Sequence, residues 1–220
     1  MRTDTFRVIA VDGPAASGKS SVSRALAGRL GYAYVNTGAM YRAVTWLVLD
    51  KTVDLSDSKA VESLLEASRL DAGIKDGQSC FLVDGVDPGD ALVGPEVNVA
   101  VSKIASLACV RERLVDIQRQ YASRCHSVME GRDIGSVVFP DTPAKFYIDA
   151  SAEVRAARRL GQGLHDPVAL RDAMDSSRKS SPLTIPDGAW VIDSSEMSVV
   201  EVVSEMLRLL QPLGILPTDS

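Results

Sequence analysis

The sequence predicts an α/β fold in which helices cover both faces of a mainly parallel sheet. One observation is the run from Gly13 to Ser20, which reads GPAASGKS and completes the pattern G-x-x-x-x-G-K-[ST]. A second is its setting, because a short apolar, β-branched run at 6–11 precedes it and apolar residues on a 3.6-residue period follow it over 21–30. A third is the alternation of apolar runs and amphipathic segments along the chain. Together they predict a P-loop NTPase-type sheet.

The segments after the first helix continue this alternation. Residues 31–36 are predicted as a short strand, and Thr37 is predicted as the N-cap of the helix that follows. Residues 56–68 carry apolar side chains at helical spacing and predict another helix. In a parallel sheet of this kind, functional residues are expected at the carboxyl ends of the strands.

The stretch from Leu70 to Val93 has a different character. It contains short apolar runs separated by Asp76-Gly77 and Asp84-Gly85, which are strong β-hairpin signals. We predict a small three-stranded antiparallel patch here, inserted into the α/β domain.

The remainder of the chain returns to the alternating pattern. Apolar residues at helical spacing predict one long helix over 98–122. Further strands are predicted at 127–129, 144–148 and 190–193, and further helices from about 151, over 166–179 and over 198–210. The tail from 212 to 220 is predicted to be frayed.

The composition is typical of a compact soluble protein. At 220 residues with 45% hydrophobic content, the chain can bury one full core. No stretch approaches the roughly 18 apolar residues of a membrane span, and the first residues, MRTD, are not typical of a signal peptide. The three cysteines, Cys80, Cys109 and Cys125, lack metal-site spacing and are expected to be reduced. We therefore expect a cytoplasmic protein.

The net charge bears on the choice of partners. Its value of −5 at pH 7 argues against a duplex nucleic acid partner. A few arginines placed together can still bind a small polyanion in a protein of negative overall charge. We expect neither a nucleic acid nor a membrane as partner.

The glycine-rich run predicts a site for nucleotide phosphates. Its glycines let backbone N–H groups wrap an anion, and the helix behind it adds the positive end of its dipole. Lys19 is expected to reach the β- and γ-phosphates of the nucleotide, and the Ser20 hydroxyl is expected to ligate Mg²⁺.

Arginines at turns and strand ends predict a phosphate clamp with a closing lid. Arg42, Arg132 and Arg178 each follow a predicted strand or lie at a turn. Three more arginines share one helix face through i, i+3, i+4 spacing, and these are Arg155, Arg158 and Arg159. Arginine suits the task because its planar guanidinium grips phosphate oxygens through two hydrogen bonds and remains charged.

The chain offers no evident general base. Its two histidines, His126 and His165, lie far apart in the sequence, and no Ser-His-Asp or Cys-His arrangement is visible. Transfer to a phosphate acceptor needs none, because the attacking oxygen is already ionised and catalysis rests on positioning and charge neutralisation. Of the acids, Asp133 could accept from an amino group of a base or cap a helix, and Glu130 could lie near the water shell of the metal.

Four strings of residues occur in order over most of the chain. They are VDGP at 11–14, TGAMYR at 37–42, EGRDIGSVVFPD at 130–141 and SSPL at 180–183. Taken together they resemble the bacterial cytidylate kinase family, and the segment G-R-D-x-G-x-V-x-x-P is far more specific than the phosphate loop. The resemblance implies that the γ-phosphate of ATP is transferred to CMP or dCMP, giving the diphosphate and ADP, with Mg²⁺ as cofactor.

The resemblance also implies which residues contact each nucleotide. Those for the ATP phosphates are Gly13, Pro14, Ala15, Ala16, Ser17, Gly18, Lys19, Ser20 and Ser21. Those for the acceptor nucleotide are Thr37, Tyr41, Arg42, Ser102, Arg111, Arg132, Asp133, Arg171, Asp175 and Arg178. The catalytic groups would be Lys19, Arg132, Arg155, Arg159 and Arg178.

Within the acceptor set the resemblance implies a division of labour. Ser102, Arg111 and Asp133 would read the cytosine, whose amino group donates and whose ring nitrogen and carbonyl accept. Asp175 would bind a sugar hydroxyl with Arg171 nearby, and the remaining arginines would hold the phosphate.

The resemblance further implies a single kinase domain over 1–220. Within it, 55–98 would be an insert on the acceptor side and 155–178 a short helical lid. The partners would be the small-molecule substrates alone, and we expect a monomer.

Two alternatives stay open at this stage. One is a kinase for another small acceptor on the same fold, such as UMP, AMP or shikimate. The other is a nucleotide-dependent switch that hydrolyses slowly and signals by conformation. If ATP turnover requires a second nucleotide, the protein is a kinase rather than a switch.

Overall fold

The computed structural model describes residues 7–161, 168–178 and 181–216, and of 168–171 only the backbone. The strands are β1 Val8–Asp12, β2 Ala33–Asn36, β3 Leu70–Lys75, β4 Gln78–Val83, β5 Ser127–Glu130, β6 Lys145–Asp149 and β7 Trp190–Asp193. The α-helices are α1 Lys19–Leu30, α2 Thr37–Asp50, α3 Ser58–Ala67, α4 Pro95–Ile104, α5 Ala108–Ala122, α6 Ala152–Gly161, α7 Val168–Ser176 and α8 Val199–Leu210. Short 3₁₀ helices cover Gly89–Val93 and Gln211–Leu213, and a π-helical turn covers Ile134–Val138.

The seven strands form one sheet in the order β3-β4-β2-β5-β1-β6-β7. Neighbouring strands in this order run parallel, except that β3 and β4 form an antiparallel hairpin. Strand β1 lies between β5 and β6, and its register pairs Val11 with Glu130. The predicted α/β class with a mainly parallel sheet is confirmed.

Two apolar layers, one on each face of the sheet, form the core. Alternate residues of β1 point to opposite faces, as the two-residue period of a strand requires. Val8 and Ala10 pack in the layer with α2, α3, α4 and α5. Ile9 and Val11 pack in the other layer, with α1 and α8. Because both faces are covered, β1 is apolar from Val8 to Val11 rather than alternating.

The predicted long helix over 98–122 is wrong, since it is two helices with a break at 105–107. Leu107 has an extended backbone, with φ −75° and ψ 128°. At the break the hydroxyl of Ser106 donates to the carbonyl oxygen of Lys103 at 2.7 Å, which satisfies an acceptor at the end of α4. No glycine or proline marks this position in the sequence.

The predicted three-stranded patch is also wrong, because the hairpin has two strands. The start of β4 pairs with β2 through Gln78 and Tyr34, so the hairpin extends the main sheet. After the Asp84-Gly85 turn only a single bridge forms, between Val83 and Val86. Pro88 follows two residues later and has no N–H to offer a ladder.

Further sequence predictions concern the C-terminal tail and the cysteines. The predicted frayed tail begins too early, since Gln211–Leu213 is a 3₁₀ helix and Ile215 is buried in the core layer of α8; residues 217–220 lie outside the described residues. Cys80, Cys109 and Cys125 are free thiols, as predicted. Within the described ranges, no helix combines the length and the apolar character needed to cross a membrane.

Helix α8 offers a matched test of the packing. We expect Val202→Ala, at a side chain 1% exposed in the core layer, to lower the free energy of unfolding by about 2 kcal/mol, from lost burial and the cavity left behind. Val200→Ala, at a side chain 71% exposed on the same helix, should change it by less than about 0.5 kcal/mol. Urea denaturation measures both values. Equal losses would contradict the placement of α8.

Candidate active site

The phosphate loop joins β1 to α1, as predicted. Gly13 has a φ of 151°, and a Cβ on it would come within 2.1 Å of the carbonyl oxygen of Ile148 in β6. Gly18 is the N-cap of α1 with a φ of 89°. Since glycine has no side chain, the first N–H groups of α1 are left for a ligand. The ammonium of Lys19 donates to the carbonyl oxygen of Pro14 at 2.9 Å, so it lies across the loop.

A cleft of about 310 Å³ opens beside this loop at the carboxyl ends of the strands. It brings together most of the residues predicted for the two nucleotides, namely Ala15, Ala16, Gly18, Lys19, Ser20, Ser21, Thr37, Tyr41, Arg42, Ser102, Arg111, Arg132, Asp133, Arg159, Asp175 and Arg178. Residues of the loop and of α4, far apart in sequence, therefore face one cavity. Its volume suits a small-molecule site.

Four other predicted residues lie outside the lining of this cleft. Gly13, Pro14 and Ser17 belong to the loop that forms its wall, and Arg155 lies on α6 beside it. The side chain of Arg171 lies outside the described residues, so its predicted role in sugar binding has no structural account here. The lining also includes Asn36, Asn98 and Val101, which the sequence patterns did not single out.

The cleft is positive although the chain is negative. Six basic and three acidic side chains line it, in a protein with a net charge of −5. Burial lowers the pKa of the Arg42 guanidinium, Glu130 opposes this shift, and the nearby cations Arg132 and Arg159 add to it. Burial likewise lowers the pKa of Arg178. Arginine stays protonated at neutral pH, so these buried cations favour the entry of an anion.

Glu130, the last residue of β5, is bonded to side chains of α1, β2 and α2. Its carboxylate accepts from the Ser20 hydroxyl at 2.7 Å and from the Tyr34 hydroxyl at 2.5 Å. Burial, then the charge of Glu130, raises the pKa of Tyr34, which keeps this tyrosine a donor. The backbone carbonyl of Glu130 accepts from the Thr37 hydroxyl at 2.7 Å.

The prediction of Thr37 as a helix N-cap is wrong by one residue. Asn36 is the N-cap of α2, and its side-chain oxygen accepts from the backbone N–H of Ala39 at 3.0 Å. Thr37 is instead the first residue of the helix, and its hydroxyl donates to the backbone carbonyl of Glu130. Thr37 nevertheless lines the cleft as the first residue of the helix.

Asp133 and Arg111 form an ion pair deep in the cleft. The two side chains are 6% and 5% exposed, and the Nη2 of Arg111 donates to the Oδ2 of Asp133. The Arg111 guanidinium also lies over the ring of Tyr41, 5.8 Å from its centroid. Of the two sequence readings of Asp133, helix capping is wrong, because its side chain makes no capping bond to the turn at Ile134–Val138.

Asp175 on α7 holds three side chains at once. Its carboxylate accepts from the Nε of Arg132 at 2.8 Å and from the Ser102 hydroxyl at 3.3 Å, and it pairs with the Nη2 of Arg178. The Nη1 of Arg132 also donates to the carbonyl oxygen of Gly13 at 3.0 Å. Asp175 thereby links α7 to α4, and Arg132 links it to the phosphate loop.

Helices α6 and α7 contact the phosphate loop through hydrogen bonds and an ion pair. Arg158 donates to the carbonyl oxygen of Ser17 at 3.1 Å and to that of Ser194 at 2.7 Å. Arg155 pairs with Asp172, whose Oδ1 accepts from the N–H of Ala15 at 3.2 Å. These bonds bring the predicted arginine face of α6 onto the loop.

The residues beside the loop fit a magnesium ion. The Ser20 hydroxyl and the Glu130 carboxylate offer adjacent oxygen ligands next to the phosphate loop. Mg²⁺ is commonly held by one or two such groups together with phosphate oxygens and water. In the part of the chain that the structure describes, no cluster of three or more His, Cys, Asp or Glu side chains could hold a metal ion by itself.

Comparisons with known proteins agree on a family. A model of the cytidylate kinase family matches residues 9–212. The cytidylate kinase of Mycolicibacterium paratuberculosis is 42% identical over 216 residues, which are 93% of this chain and 95% of that protein. The cytidylate kinase of Caldanaerobacter subterraneus subsp. tengcongensis is 41% identical over 214 residues, 92% of this chain and 94% of its own length.

A solved structure supports the fold. TT1252 from Thermus thermophilus aligns over 96% of this chain and 98% of its own, with a TM-score of 0.51 and 18% sequence identity. A likeness at this identity bears on the fold alone.

The buried ion pair generates a stability prediction. We expect Arg111→Met to lower the free energy of unfolding by about 3 kcal/mol, because it leaves the carboxylate of Asp133 buried without its partner. The double variant Arg111→Met/Asp133→Leu should recover most of that loss. Urea denaturation at pH 7 measures both, and a loss below about 0.5 kcal/mol for the single variant would show that water replaces the arginine.

Proposed function

The chain belongs to the cytidylate kinase family, and we propose that its cleft transfers the γ-phosphate of ATP to CMP, releasing ADP and CDP. The observation that carries this proposal is the cavity itself. Residues of the phosphate loop line it, and so do Ser102, Arg111 and Asp133. A donor phosphate and a cytosine can therefore occupy one cleft.

On the donor side, the phosphate loop binds the phosphates of ATP. The N–H groups at the start of α1 face the ligand, and the helix dipole favours negative charge there. Lys19 exchanges its bond to the carbonyl of Pro14 for the β- and γ-phosphate oxygens. When bound, Mg²⁺ would be held at Ser20 with Glu130 beside it, and it would offset the charge of the phosphates.

On the acceptor side, Asp133 distinguishes cytosine from uracil. Its Oδ2 is paired with Arg111, and a carboxylate can accept further bonds at its other oxygen. The amino group of cytosine donates to such an oxygen, whereas uracil presents a carbonyl oxygen there, an acceptor that cannot bond to the carboxylate. Arg111 and Ser102 donate to the ring nitrogen and carbonyl of the base.

Between the two sites, the arginines neutralise the transferring group. Arg42, Arg132, Arg159 and Arg178 line the cleft, and Arg132 already bridges from Asp175 to the phosphate loop. The attacking phosphate oxygen of CMP is ionised, so no general base is required. The preorganised guanidinium groups stabilise the charge that spreads over the transferred phosphoryl in the transition state.

Several finer points belong to this proposal. Asp175 and Arg171 contact the sugar, and dCMP is accepted beside CMP. The lid at 155–178 closes over ATP to exclude water and suppress hydrolysis, while 55–98 covers the acceptor. We further propose that the enzyme works as a cytoplasmic monomer.

Acceptor dependence tests the function directly. We expect ADP release from ATP and Mg²⁺ to require a cytidine monophosphate, because cytosine offers Asp133 an amino donor and Arg111 ring acceptors, whereas uracil offers no amino group. A coupled optical assay compares CMP, dCMP, UMP, AMP, shikimate and no acceptor. Preference for another acceptor would leave the fold and the phosphate clamp standing but refute the base-reading set. Equal turnover without any acceptor would favour the switch reading.

The arginine clamp generates a kinetic prediction. Arg132→Ala should lower kcat on the order of 10²-fold or more, because it removes a cation that faces the transferring or acceptor phosphate. The matched control is Arg113→Ala, at an exposed arginine of α5, which should retain full turnover. Steady-state kinetics with CMP and ATP measures both variants. Turnover of Arg132→Ala within about threefold of the parent would remove Arg132 from this role.

A further inference from the structure

The turn that follows Asp133 has an uncommon geometry. The N–H of Val138 bonds the carbonyl oxygen of Asp133 at 3.2 Å, and the N–H of Phe139 bonds that of Ile134 at 2.7 Å. These are i to i+5 bonds, which define the π-helical turn Ile134–Val138. Such turns are rare and concentrate at functional sites. The backbone of Asp133 is the anchor of this turn, so the position of its carboxylate depends on how the turn is held.

The first end of the turn is held by Asp12, the last residue of β1. Its two carboxylate oxygens accept from the N–H groups of Ile134 and Gly135, each at 2.8 Å. Gly135 permits this close approach, since a Cβ there would come within 3.3 Å of a carboxylate oxygen of Asp12 and 3.2 Å of the side chain of Lys145. Asp12 is 0% exposed.

A carboxylate buried to this degree is costly unless its bonds offset the burial. Burial raises the pKa of Asp12 to about 7, while the bonds from Gly135 and Ile134 act in the opposite direction. A neutral side chain of similar size would fill the same space without this penalty. Packing alone therefore does not explain why this buried position holds an acid.

The other end of the turn is held by Arg119 on α5. Its Nε donates to the carbonyl oxygen of Val138 at 3.1 Å, and its Nη2 donates to that of Val137 at 3.2 Å. Asp12 thus accepts from the N–H groups at the start of the turn, and Arg119 donates to the carbonyl oxygens at its end. This is the arrangement that complements the dipole of a helical segment.

We propose that Asp12 and Arg119 are positioning residues for CMP recognition, which act by fixing the two ends of the π-helical turn and thereby the carboxylate of Asp133. The inference rests on the proposed function, in which Asp133 reads the cytosine. Asp12 directly precedes Gly13, so the same carboxylate ties the CMP-reading segment to the start of the phosphate loop. Neither residue lines the cleft within the described part of the chain.

Arg119→Ala is the variant of choice for testing this, because Arg119 is an exposed residue on a helix and alanine favours the helix. We expect the KM for CMP to rise about fivefold to tenfold, and the KM for ATP to stay within about twofold. Arg119→Lys, which keeps one cationic donor, should restore part of the CMP affinity. The matched control is Arg113→Ala on the same helix, which should leave both KM values unchanged.

A double-mutant cycle separates positioning from general destabilisation. If Arg119 acts through Asp133, the substitution Arg119→Ala should have little effect on the KM for CMP in an Asp133→Ala background. Additive effects would overturn the inference, as would an equal rise in the KM for ATP. Should Asp133→Ala fail to fold, Asp133→Ser takes its place.

Asp12→Asn gives an independent arm. The amide replaces one of the two acceptor oxygens by an NH₂ group, so one of the two backbone N–H groups loses its partner. The variant should again raise the KM for CMP more than that for ATP.

If Asp133→Ala itself leaves the KM for CMP unchanged, the base-reading assignment is wrong and this inference with it. If Asp133→Ala raises the KM for CMP but the Arg119 and Asp12 variants leave it unchanged, as Arg113→Ala should, the inference is overturned and the proposed function stands.

Discussion

The parallel pairing of β1 with β5 at the centre of the sheet is the constraint on which the site depends. Its register sets Val11 opposite Glu130, and the N–H of Gly131 continues the pairing to the carbonyl of Val11 at 3.0 Å. Both strands end at the same edge, so the phosphate loop after β1 and the segment after β5 begin side by side. Gly131 has no room for a side chain, since a Cβ would lie 2.8 Å from the Thr37 hydroxyl.

The same charged side chains contribute to the stability of the cleft and to its proposed function. Asp133 pairs with Arg111, and Asp175 pairs with both Arg132 and Arg178, so the cations are held in place before any ligand arrives. The excess of basic groups remains available to anions, because six cations face only three acids. A preorganised cation needs no reorganisation during transfer, which is what electrostatic catalysis requires.

The sequence could predict what is encoded locally. The phosphate loop and the string from Glu130 to Asp133 are contiguous, and their positions at strand ends follow from the strand pattern. What it could not predict depends on distant partners. The pairing of β4 with β2 is a tertiary contact, and the bonds from Asp12 to the π-helical turn join residues more than 120 positions apart. The N-cap is Asn36 instead of Thr37, whose hydroxyl donates to the carbonyl of Glu130, 93 positions away.

The break between α4 and α5, which the sequence did not predict, matters for the proposed function. The sequence gives no glycine or proline there, so periodicity favours one helix over 98–122. In an uninterrupted helix, Ser102 and Arg111 would be rotated by about 180° from each other at 3.6 residues per turn. They would then lie on opposite faces and could not both reach one base. Yet both line the same cleft. The extended residue Leu107 turns the chain between them, and a cytosine site shared by the two residues requires that turn.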